Sequence, residues 1–119
     1  MLASEDVELL PGEVLFARLP ANGVQGGRAF GGRLHVTSRR LVFVPVSASQ
    51  ARGGSRSEIP LGEVPAVDVA PRGLGVSDAS MRRRLRVTTR SGDVRYFVVW
   101  RPRKAAALIE RARSGTLPS

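Results

Sequence analysis

The chain has 119 residues, enough for one domain with one core. Its 42% hydrophobic content is ordinary for a globular chain, and no apolar run approaches the ~18–20 residues that span a bilayer. The formal net charge is +9, and the absence of cysteine excludes disulfides, thiolate metal sites and thiol nucleophiles.

Residues 1–8 form an acidic lead-in, the reverse of a signal peptide's basic start, so a cytoplasmic location is expected. Glu5, Asp6 and Glu8 read as a short helix cap or a frayed end. Pro11-Gly12 is a turn signal. Residues 13–19 read as the first strand, and 20–28, with Pro, Asn and Gly, as a loop. The second strand is predicted over 29–37, with Leu34 and Val36 on an apolar face and Arg33 and His35 on a wet one. Gly31-Gly32 inside it suggests a bulge or bend. Thr37-Ser38-Arg39-Arg40 makes a polar turn into a third strand over 40–46.

Residues 47–57 read as a flexible basic loop with nothing to bury. Short strands follow at 58–60 and 64–70, with a turn between them, and then a Gly-rich connection over 71–80. The sixth strand, 84–90, alternates Leu85, Val87 and Thr89 with Arg84, Arg86, Thr88 and Arg90. Ser91-Gly92-Asp93 turns the chain into a seventh strand over 94–100. There Phe97 and Val99 are assigned to the core, and Trp100 is expected beneath the last element. That element is a helix. Pro102 suits its first turn, Gly115 its stop, and Ala105, Leu108, Ile109 and Ala112 give one apolar stripe. Together these elements predict a mainly β domain over 9–114, with a tail at 115–119. Its architecture is a barrel of seven antiparallel strands capped by one C-terminal α-helix.

The runs Gly-Gly-Arg-Leu-His-Val-Thr-Ser-Arg-Arg-Leu-Val-Phe, Ile-Pro-Leu-Gly-Glu-Val, Leu-Arg-Val-Thr-Thr-Arg-Ser-Gly-Asp and Tyr-Phe-Val resemble, in that order, the GRAM domain. The most specific positions are Gly32, Leu34, Thr37, Arg40, Leu41 and Phe43, with Ile59-Pro60-Leu61. The resemblance covers nearly the whole chain, as a bacterial single-domain member. It implies the pleckstrin-homology (PH)-like fold, with two near-orthogonal antiparallel sheets and a terminal helix plugging one end. It also implies a binding role toward phosphoinositides, other anionic lipids or protein segments. PH domains that bind inositol phosphates place a basic residue on strand one and a basic-x-basic pair on strand two. Here Arg18 and Arg33 match, and the third position is His35, mostly neutral at pH 7.

Catalysis is not expected, and neither is a metal or other cofactor. His35 is the single histidine and reads as a surface strand residue. Glu63 and Asp68 read as exposed turn and strand residues. Gly23, Gly26 and Gly27 lack the Lys-Ser/Thr and the helix of a nucleotide loop.

The charge is concentrated. Residues 82–104 carry nine cations against Asp93. Lys104 is the only lysine in the chain; compositional bias and bidentate anion recognition both account for that ratio. A hairpin turning at 91–93 would set Arg82, Arg83 and Arg84 beside Arg101, Pro102 and Arg103. Cations in a first helical turn oppose the helix dipole, and local rules broken in this way are typical of a binding site. The anion-binding candidates at this basic end are Arg83, Arg84, Arg101, Arg103 and Lys104. The alternative is a solvated, salt-screened surface. A second candidate set, at the open end, is Arg18, Arg28 and Arg33, with Arg52 and Arg56 from the loop over 47–57.

The expected partner is an anionic membrane surface or a phosphate-bearing ligand, met peripherally at the inner membrane face. The alternative is a protein partner or a second copy of the chain, taken at a sheet edge or on the Tyr/Trp face of the last strand. Nucleic acid ranks third, because 5% aromatic residues leave few rings to stack bases.

Overall fold

Two long strands, β1 (Leu15–Gln25) and β2 (Arg28–Thr37), carry the sheet. The computed structural model describes residues 7–71 and 83–115. The predicted cap at Glu5 and Asp6, the connection over 72–82 with Arg82, and the tail beyond Gly115 lie outside them. β1 and β2 pair antiparallel from Leu15 opposite Thr37 to Gln25 opposite Arg28, with one bulge between Leu15 and Ala17. Gly26 and Gly27, at φ +58° and +77°, form the two-residue turn. Positive φ at both central positions matches the twist of a hairpin, and glycine adopts it without strain.

The stretch 20–28 is therefore strand and tight turn, where a loop is expected from composition. Pro20 is tolerated because β7 joins β1 only from Ala21 to Gly23, so at Pro20 the strand has one neighbour. Gly31-Gly32 makes no bulge. Gly32 faces Pro45 in regular register, and a Cβ on it would lie 2.4 Å from the Val44 carbonyl oxygen. The glycine permits two backbones to touch.

β3 (Arg40–Pro45) pairs with β2, and β4 (Ser57–Pro60) pairs with β3. Between them, residues expected as bare loop form a short helix, α1 (Ser47–Ala51). Ser49 is buried there, and the Gln50 side-chain amide donates to the Pro45 carbonyl (2.8 Å). β5 (Ala66–Ala70), β6 (Arg84–Thr88) and β7 (Val94–Val99) form the other half.

The strand order is β4-β3-β2-β1-β7-β6-β5, so β1 is common to both halves. The seven antiparallel strands and terminal helix are as predicted, but the hydrogen-bonded ladder is open and not a closed barrel. A 3-10 turn, Leu61–Glu63, links the two end strands. The Leu61 N–H donates to the Arg39 carbonyl (2.9 Å), and the Arg90 N–H donates to the Glu63 carbonyl (2.8 Å). Leu61 and Val64 are buried beneath it.

α2 (Pro102–Ser114) starts at Pro102 and stops at Gly115, which is left-handed at φ +76°. It lies against β5 and β6 and reaches β2, β7 and the 3-10 turn. Its buried residues Ala105, Ile109 and Ala112 meet a core of Leu34, Val36, Leu41, Phe43, Leu85, Val87 and Phe97, with Leu108 partly buried at the margin. The Phe43 and Phe97 rings are 5.7 Å apart and tilted by 48°.

The outer face of β2 and β3 is covered around His35 and Val42. His35, expected on a wet face, is fully buried opposite the equally buried Val42. Its Nδ1–H donates to the Val42 carbonyl (3.2 Å). The segment before β1 is tied to β3 through Arg40. The Arg40 guanidinium reaches back to the Glu8 carbonyl and to the Glu13 carboxylate. The simple in–out alternation of a one-sided strand fails at His35.

Candidate anion-binding groove

The first turn of α2 is built from cations. Arg101 precedes it, Arg103 and Lys104 lie within it, no acid is present, and no side chain caps it. All three are exposed. Arg83, just before β6, joins them along a groove of about 900 Å³. The opposite wall comes from Pro20, Ala21 and Asn22 of β1 and from Val98, Val99 and Trp100. None of Arg83, Arg101, Arg103 and Lys104 has a side-chain hydrogen bond or ion pair with a described residue. No described lining residue is acidic.

The convergence differs from the predicted one in detail. β6 and β7 pair with Leu85 opposite Phe97 and Arg86 opposite Tyr96, two residues short of the expected register. The reason is a wider turn, closed by the Thr89 N–H donating to the Asp93 carbonyl (2.9 Å). Arg84 thereby leaves the group. Its guanidinium sits 4.7 Å from the Tyr96 ring centroid and donates to the Pro71 carbonyl (3.3 Å). Arg86 makes a bidentate pair with Asp68 (2.8 and 2.5 Å). That pair lowers the Asp68 carboxyl below its ordinary range and raises the Arg86 guanidinium. Arg90 donates to the Gly62 carbonyl (2.7 Å). Among the described cations of the run, Arg84, Arg86 and Arg90 fasten the fold, four border the groove, and Arg95 is exposed on β7 outside the groove lining.

Trp100 is 87% exposed and is not under the helix as expected. Strand parity puts Phe97 and Val99 inside, and α2 turns onto their face, leaving Trp100 on the rim. Beside it a second, apolar groove of about 300 Å³ runs between Leu19, Val99, Ala105 and Leu108. Trp100, Arg101 and Lys104 border both grooves. The β1 wall escaped the sequence reading because 20–28 passed for a loop. With Phe97 and Val99 on the core face, strand alternation places Trp100 on the opposite face, which is the sequence signal for its exposure.

The open-end candidates divide. Arg28 and Arg52 both stack toward the buried Phe30 ring, at 5.1 and 5.5 Å from its centroid. Arg18 lies opposite His35, and Arg33 opposite Pro20, which makes the two exposed arginines diagonal neighbours on the outer face. Arg56 approaches Glu58 at 3.8 Å.

The residues carrying the family resemblance hold the β2–β3 turn together. The Thr37 hydroxyl donates to Glu13 (2.7 Å) and accepts from the Arg39 and Arg40 backbone N–H groups (3.1 and 3.0 Å). Arg40 donates to Glu13 through Nε (2.8 Å) and also pairs with Glu58. Burial alone would raise the Glu13 carboxyl. The hydrogen bonds from Arg40, Thr37 and the Leu10 N–H outweigh it and hold the carboxyl at about 2.

No family model matches the sequence, and no curated protein does. Solved structures match the fold. The Vps36 N-terminal PH domain superposes with a TM-score of 0.65 at 15% identity, over 92% of this chain and 85% of that one. The C-terminal domain of an unknown protein from Leishmania infantum superposes with a TM-score of 0.61 at 18% identity, over 87% and 85%. The fold is PH-like.

Proposed function

We propose that this PH-like domain is a non-catalytic binding module that takes anionic ligands, specifically lipid phosphate head groups, at the groove where α2 begins. One observation carries the reading. Arg83, Arg101, Arg103 and Lys104 border one groove with no acidic residue among its described lining. Holding like charges together against a helix N-terminus costs about 0.3–1 kcal/mol per exposed cation. An anion there removes that cost and meets the unpaired N–H groups of the first turn. The cytoplasmic leaflet, where anionic lipids concentrate, is the surface such a module would serve.

Vesicle sedimentation at about 0.15 M salt tests the reading. Phosphatidylcholine vesicles containing phosphatidylglycerol are expected to carry the protein down, and phosphatidylcholine alone to leave it in solution. Equal recovery with both, or recovery with neither, contradicts it.

A further inference from the structure

We infer that the groove docks on the bilayer surface itself, with the Trp100 indole seated in the interface, and not on a soluble phosphate ester. The inference rests on the function proposed above and names the form in which the anion is met. At 87% exposure, Trp100 is the most open large hydrophobic side chain among the described residues; Leu10, Val46 and Val94 are half as open and lie elsewhere. An indole is an apolar plate with one N–H donor, a shape that suits the boundary between head groups and acyl chains. A soluble anion would leave that plate in water. A bilayer covers it.

The surroundings agree in sign and in position. Trp100, Arg101 and Lys104 border both grooves, so cationic and apolar surfaces are continuous across them. The cationic side offers phosphate contacts. The apolar side, floored by Leu19, Ala105 and Leu108, accepts the first carbons below a head group. Each cation near an anionic surface contributes about fivefold in affinity. The four bordering the groove therefore supply attraction, while Trp100 sets which part of the surface sinks in. The charge complementarity selects an anionic bilayer over a neutral one.

Trp100 is the only tryptophan in the chain, so intrinsic fluorescence reports on this position alone. The intact chain is titrated with phosphatidylglycerol-containing vesicles at about 0.15 M salt. Parallel titrations use vesicles with brominated acyl chains, soluble glycerophosphoglycerol and an acidic amphipathic peptide. The expected result is a blue shift with the anionic vesicles, quenching by the brominated chains, and no shift with the soluble head group. Trp100→Ala, at an exposed position that the core does not use, is expected to weaken vesicle binding about tenfold. Sedimentation with anionic vesicles but unmoved, unquenched emission overturns the insertion and leaves the anion-binding groove standing. A shift saturated by glycerophosphoglycerol alone does the same. A shift with the acidic peptide and none with vesicles overturns it in favour of a protein segment. No vesicle binding by sedimentation removes both readings.

Discussion

Glu13 is a buried carboxylate whose hydrogen bonds keep it ionised, and with the more exposed Asp68 it makes the fold sensitive to acid. Its pKa falls from 4.5 in the unfolded chain to about 2 in the folded one. Because the folded value is the lower, the stabilisation is complete above about pH 4.5 and is lost as pH falls toward 2. Urea unfolding at pH 7 and at pH 3 is expected to show this loss in the wild type. Glu13→Gln should lower stability at pH 7 by about 3 kcal/mol, since it leaves Arg40 with the half-exposed Glu58 as its remaining carboxylate. It should also flatten the pH dependence between those two points. An unchanged slope would assign the acid sensitivity to other groups. Gly32 makes a second point at this scale. Gly32→Ala drives a methyl to 2.4 Å from the Val44 oxygen, so thermal unfolding should show loss of a few kcal/mol or failure to fold. The sequence reads His35 as exposed because alternation reveals one covered face and is silent where the other is covered as well. Alternation succeeds at Phe97, where one face alone is packed.

Among the elements, α2 was the most readable and β1 the least. Pro102, the Ala105–Leu108–Ile109–Ala112 spacing and Gly115 all state a helix locally, and the structure follows each. β1 runs through Pro20 and Gly23 to a two-glycine turn, and its extended form is imposed by partners distant in sequence. Composition reads that segment as a loop because nothing local opposes the reading. The β6–β7 hairpin was readable in existence but not in register, since the register depends on turn closure at Thr89 and Asp93. Two outcomes test the helix. Ile109→Ala, at a fully buried position, is expected to cost about 2–5 kcal/mol in urea unfolding. Arg103→Glu puts an acid into a first turn that has none, and should raise stability by about 0.5–1 kcal/mol. The same substitution should weaken vesicle binding. Opposite signs for stability and binding are the mark of a helix start shaped for a ligand; a loss in both would show Arg103 serving the fold.

For the whole molecule, the question is whether a charge of +9 is a site or only a property of the surface. The sequence already placed the excess in one stretch. It could not sort the cations, because sorting needs the partners that folding supplies: Asp68 for Arg86, the Tyr96 ring for Arg84, the Gly62 carbonyl for Arg90. Four of the cations without such a partner border one groove, Arg95 lies on β7 outside it, and Arg18 and Arg33 lie on the outer face of β1 and β2. The decisive measurement compares two neutralised pairs for sedimentation with phosphatidylglycerol-containing vesicles at about 0.15 M salt. Both variants carry the same net charge. Arg101→Gln with Arg103→Gln is expected to lose about 30-fold in affinity, at about 1 kcal/mol per cation. Arg18→Gln with Arg33→Gln is expected to stay within a few-fold of the wild type. Equal losses from the two pairs would contradict the account, because binding would then follow net charge and not the groove.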